Sequence, residues 1–173
     1  MRRLLSTMAV AIAFSLSALP LAPAQTMKEG KSTGTYVGWG TVKVTAVGKE
    51  RTLVTFEDFG PGKANGIFDH TAWRCWGIGD FVNGKGRSHG YCLGQDPTGD
   101  QVVQDWTETE DHTLDAKLLR GVLKFTNGTG KFSGITGSGT YEDRGNEWKP
   151  ITEGTYMVDV SFEISYKLPG VSQ

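Results

Sequence analysis

The chain has 173 residues, with 18 Lys+Arg against 19 Asp+Glu and a formal net charge of −1. Its basic residues form no block, which excludes the clustered Lys/Arg footprint of a nucleic-acid-binding protein or of one that docks on an anionic membrane. The 24 glycines all lie after position 24, at about twice the usual share, and the Val, Thr, Tyr and Phe among them point to tightly turned, curved β-sheet.

Residues 1–24 read as a secretory signal peptide. Arg2 and Arg3 precede an apolar run from Leu4 to Leu19, and Ala22-Pro23-Ala24 supplies a small-residue cleavage site before Gln25. A membrane anchor is the competing reading, but the run falls short of the roughly 20 apolar residues a span needs. Cleavage leaves about 150 residues, enough for one domain with a core. The expected location is therefore secreted or periplasmic, with no membrane association after cleavage. The expected organisation is a signal peptide (1–24), a flexible leader (25–32) and a single β-barrel domain (33–173).

From Thr35 to Val47 the residues alternate, with Tyr36, Gly38, Gly40, Val42 and Val44 sharing one face. That is a first strand, bent at its glycines. Thr52–Asp58 is a second, followed by a breaker-rich loop from Phe59 to Gly66. Phe68–Val82 and Lys85–Leu93 flank Asn83-Gly84, the dipeptide best suited to a type I′ hairpin turn. With those two residues as the loop, Val82 faces Lys85 and Cys75 faces Cys92. The cysteines fall on a non-hydrogen-bonded pair, where Cα atoms sit about 4.5 Å apart, within reach of a disulfide. Two cysteines in an exported chain favour that bond over a reactive thiol or half a metal site, since no nearby His or Cys completes a ligand set.

Gln101–Glu108, Leu118–Thr126 and Thr136–Asp143 are read as the fifth to seventh strands, although Ala116–Leu119 lacks β-branched residues and leaves a short helix open there. Thr152–Lys167 is the clearest strand: Tyr156, Val158, Val160, Phe162, Ile164 and Tyr166 face one way and polar residues mostly the other. Eight sequential strands joined by tight turns predict an all-β fold, an eight-stranded antiparallel up-and-down β-barrel with room for side chains or one small ligand.

The segment Asn127–Tyr141 resembles the Gly-Thr-Gly-x-Phe-x-Gly-x-x-Gly signature of the allene oxide cyclase barrel superfamily, and dirigent proteins carry a similar segment. Trp73–Asp100 is similar in part to exported bacterial members, through Gly90-Tyr91-Cys92 and Asp96-x-x-Gly99-Asp100. The resemblance implies a calycin-like barrel, often a trimer, with a pocket at one mouth for an elongated apolar or phenolic ligand. In such a barrel Phe132 plugs one end. The cyclase closes a reactive epoxide in a greasy cavity, whereas dirigent proteins steer radical coupling without bond chemistry of their own. Neither family's working residues map one by one onto this chain.

The pocket candidates are Tyr36, Trp73, Trp76, Tyr91, Phe132 and Tyr141. Trp76 pairs with Tyr91 across the hairpin, where the two stack to line a pocket or to pack in a core or subunit interface. Glu57 is the candidate general base at a strand end, against the reading of a solvated carboxylate. His70, His89 and His112 are scattered and read as surface residues. The acidic run Glu108, Glu110, Asp111 and Asp115 reads as a solvated loop rather than a calcium site, so no metal and no cofactor is expected. Asn127-Gly128-Thr129 is a glycosylation acceptor only in a host that glycosylates exported proteins. No nucleophile elbow, phosphate loop or dinucleotide fingerprint is present.

The leading expectation is an exported, disulfide-bonded barrel that binds a small apolar or aromatic ligand without catalysis. One alternative is a cyclase or isomerase that uses the cavity as a template, with Glu57, Tyr36 or Tyr141 as its polar group. The other is a structural or partner-binding protein with a filled barrel, self-associating as a homotrimer or homodimer through outward aromatics such as Trp39.

Overall fold

The computed structural model describes residues 27–170, so the signal-peptide reading lies outside the described residues. The chain forms one closed antiparallel barrel of eight strands in sequential order. The strands are β1 (Met27–Val47), β2 (Arg51–Ala64), β3 (Ala72–Val82), β4 (Lys85–Gln95), β5 (Gln101–Glu108), β6 (Leu119–Gly128), β7 (Thr136–Asp143) and β8 (Thr155–Pro169). β1 pairs with both β2 and β8, which closes the cylinder and leaves no unpaired edge strand among the described residues. Among the described residues, no helix is long and apolar enough to cross a membrane.

The hairpin of β3 and β4 adopts the predicted register, with Val82 opposite Lys85, Cys75 opposite Cys92 and Trp76 opposite Tyr91. Asn83 and Gly84 take φ of 52° and 77°, as a type I′ turn requires. The disulfide is present, and its Cα atoms lie 4.1 Å apart.

Three boundaries depart most from the sequence reading, while the others shift by no more than three residues. Met27–Ser32, read as part of a flexible leader, are the first rungs of β1 and pair with the end of β8. Ser32 is buried there and its hydroxyl donates to the Asn65 carbonyl at 2.8 Å. β2 runs on through Phe59-Gly60-Pro61-Gly62, which the breaker residues marked as a loop. A Cβ on Gly60 would stand 2.1 Å from the Val37 carbonyl oxygen, so glycine lets the β1 and β2 backbones approach there. β3 starts at Ala72 rather than Phe68, because Gly66–Phe68 is a 3-10 turn. Ala116–Leu119 forms no helix.

One end of the barrel is filled. Phe68 stacks on Phe125 and Phe132 at centroid distances of 5.3 and 5.5 Å, and Tyr166 meets it edge-on at 5.4 Å. Phe132, Val102 and Ile135 are buried beside them. Two turns at this end are tied together: Asp96 pairs with Lys131 at 2.7 Å, and Asp100 accepts the Lys131 backbone N–H at 2.9 Å. The opposite end carries the two longest connections, between β5 and β6 and between β7 and β8.

Candidate functional site

Alternation along each strand sends one set of side chains into the barrel. On β1 and β2 these are the even-numbered residues, including Tyr36, Val54, Phe56 and Asp58; on β3 they are the odd ones, including Trp73, Cys75 and Phe81. Above the phenylalanine plug they leave a cavity of about 360 Å³, whose wall is mostly apolar. Leu114, Asn146 and Pro150, from the two long connections, line it at the open end. The disulfide is part of the wall.

Two cross-strand pairs explain how a narrow barrel holds both large rings and free space. Gly40 stands opposite Tyr156 and Gly121 opposite Tyr141. A Cβ at either glycine would lie 2.4 or 2.3 Å from the facing ring, so each ring lies flat over its neighbour's bare backbone. A continuous arc of rings results. Tyr156 meets Phe56 edge-on at 5.9 Å, Phe56 meets Trp106 at 5.7 Å, and Trp106 meets Tyr141 edge-on at 6.3 Å.

Carboxylates interrupt the wall at two places. Asp58, only 3% exposed, accepts hydrogen bonds from the hydroxyls of Tyr36 and Tyr156, the latter at 2.6 Å. Burial pushes its carboxyl up to about 6, although both tyrosine bonds favour the ionised form. Burial first, and then the Asp58 charge, drive both tyrosine hydroxyls well above the ordinary phenol range. The second place is the open end. Asp143 Oδ1 accepts the backbone N–H groups of Gly145 and Asp159 at 2.7 and 3.0 Å, and burial raises its carboxyl. Tyr141 is raised as well, by burial and then by Glu108 and Asp143. Glu108 accepts the Ser88 backbone N–H and a 2.6 Å bond from His112 Nε2. His112 also exchanges backbone hydrogen bonds with Gly86, which pins the connection after β5 against β4.

Of the sequence candidates, Tyr36, Trp73 and Tyr141 line the cavity. Phe132 belongs to the plug instead. Trp76 and Tyr91 are corrected: they pair as expected but on the outer face, 42% and 51% exposed, because their parity is opposite to that of the cysteines. Glu57 is corrected too. It is an outward residue ion-paired with Arg74, and the buried acid is its neighbour Asp58. His112 and Glu108, read as surface and loop residues, meet in the cavity wall. Sequence reading missed Asp58, Tyr156, Gln104, Trp106 and Asp143. Tyr156 was visible as an inward position on the last strand, but its bond to Asp58 spans 98 residues.

No protein-family model matches the chain, and no curated protein does. Among solved structures it is similar to the pterocarpan synthase dirigent protein GePTS1, with 14% sequence identity over 86% of this chain and 91% of that one, and a TM-score of 0.48. The closed sheet of eight sequential antiparallel strands rests on this chain's own strand pairing.

Proposed function

We propose that this protein, once exported, binds one small apolar or aromatic molecule inside its barrel. The observation that carries this reading is the cavity itself. At about 360 Å³ it falls within the roughly 300–1,000 Å³ span of small-molecule sites, with a largely apolar wall and a few fixed polar groups. Trp73 and Trp106 both line it, so occupancy should change tryptophan emission. Native mass spectrometry of protein purified from its own host is the direct test, and a co-purifying mass of a few hundred daltons is expected. A barrel that leaves the host empty and gives no emission response across a panel of apolar aromatics would overturn the reading. The same spectrum counts subunits, for which we propose a homotrimer or homodimer joined through the exposed outer rings of Trp39, Phe59, Trp76 and Tyr91.

One observation favours a second reading, a cyclase or isomerase that uses the cavity as a template. Asp58 is a cavity carboxyl poised at about 6 and held by two phenols, which suits it to give or take a proton near neutral pH. On that reading Asp58→Asn retains the ligand and abolishes turnover.

A further inference from the structure

Two of the three acidic groups of the cavity have no basic side chain to answer them. Among the described residues no Lys or Arg lines the wall, whereas Asp58, Glu108 and Asp143 do. Glu108 is engaged by His112 and a backbone N–H. Asp58 and Asp143 have only hydroxyl and backbone donors, so an ionised carboxylate at either place is a buried charge without a counter-ion. Between them runs the arc of rings from Tyr156 through Phe56 and Trp106 to Tyr141. A cation over such ring faces is attracted by their quadrupoles, the more so where water is excluded. The wall also holds an independent sign of a missing partner: Trp106 Nε1–H is buried without a hydrogen-bond partner among the described residues, and Gln104, 9% exposed, lines the same cavity.

We infer that the barrel selects an organic ammonium: a molecule with an apolar or aromatic body and one protonated amine, seated with its charge against the ring arc and the Asp58 or Asp143 carboxylate. The inference rests on the ligand-binding reading above and names the ligand's class. An anionic amphiphile of the same shape would bring a third unanswered negative charge into a low-dielectric space and is rejected. A neutral alcohol fills the same volume without the charge attraction and falls between the two. The Gln104 amide oxygen supplies an acceptor for one ammonium N–H.

The test compares three ligands of one skeleton at pH 7.5: 4-phenylbutylamine, 4-phenylbutan-1-ol and 4-phenylbutyrate. Binding is read by calorimetry and tryptophan emission. The amine is expected to bind about ten-fold or more tightly than the alcohol, with the acid weakest. In Asp58→Asn the amine's advantage over the alcohol should fall several-fold. Asp143→Asn is the second variant, because its amide oxygen still accepts the two backbone N–H groups. Equal or better binding of the alcohol or the acid overturns the inference and leaves the binding pocket standing. An amine preference that survives in both variants also overturns it. Failure of all three ligands overturns the pocket reading, and this inference with it.

Discussion

Asp58 carries a stability signature that isolates it from the exposed acids. Its carboxyl titrates at about 6 in the fold against an ordinary 3.8. Between those values the unfolded chain has released the proton while the folded chain still holds it. Folding therefore loses stability as pH rises through that window, and the loss is complete above it. Asp143, also raised by burial, acts in the same direction. Asp58→Asn removes the titration and keeps an oxygen for a tyrosine hydroxyl. Its stability relative to the parent should climb from pH 4 to pH 7, by about 3 kcal/mol at most, then level off. Urea unfolding at pH 4, 5, 6 and 7 measures this; a gap that does not change with pH refutes it. The choice between Glu57 and Asp58 was not legible in the sequence. The two acids are adjacent, and either parity of β2 reads as a half-buried strand. What decides is the β2–β3 register, which sets Asp58 beside Cys75, and no tight turn joins those strands to announce it.

At the scale of elements, the β3–β4 hairpin was legible because its information is local. Asn83-Gly84 fixes the loop, the loop fixes the register, and the register places two cysteines face to face. Replacing both cysteines with alanine should cost roughly 3 kcal/mol, the loop-closure value for a separation of 17 residues, measured as a lower urea midpoint. The course of β2 was hidden for the opposite reason. Gly60, Pro61 and Gly62 are breakers in isolation, and only the closeness of β1 explains their place in a strand. The glycine-for-ring exchange gives a second element-scale prediction. In Gly121→Ala the new methyl meets the Tyr141 ring at 2.3 Å, so the ring must leave its seat. A loss of about 1–3 kcal/mol is expected from this overpacking. In a Tyr141→Ala background the same change should cost much less, which a double-mutant cycle reads directly.

For the whole molecule, the unequal ends of the barrel matter most. Strand number and order were legible, since each run of alternation ended in turn residues. Which end would be filled was not, apart from Phe132, because Phe68, Phe125 and Tyr166 come from distant parts of the chain. Phe68 is 1% exposed and touches three other rings. Phe68→Ala should cost about 3–5 kcal/mol in thermal or urea unfolding. It should also deepen the space above, so that the variant favours longer ligands than the parent does.

The sulfur bridge faces inward, with Cys75 and Cys92 only 7% and 5% exposed. A small thiol sent to open it has to travel down the same shaft as any guest molecule. The speed of that exchange is thus a clock for how full the barrel is: quick when vacant, slow when something already sits across the entrance.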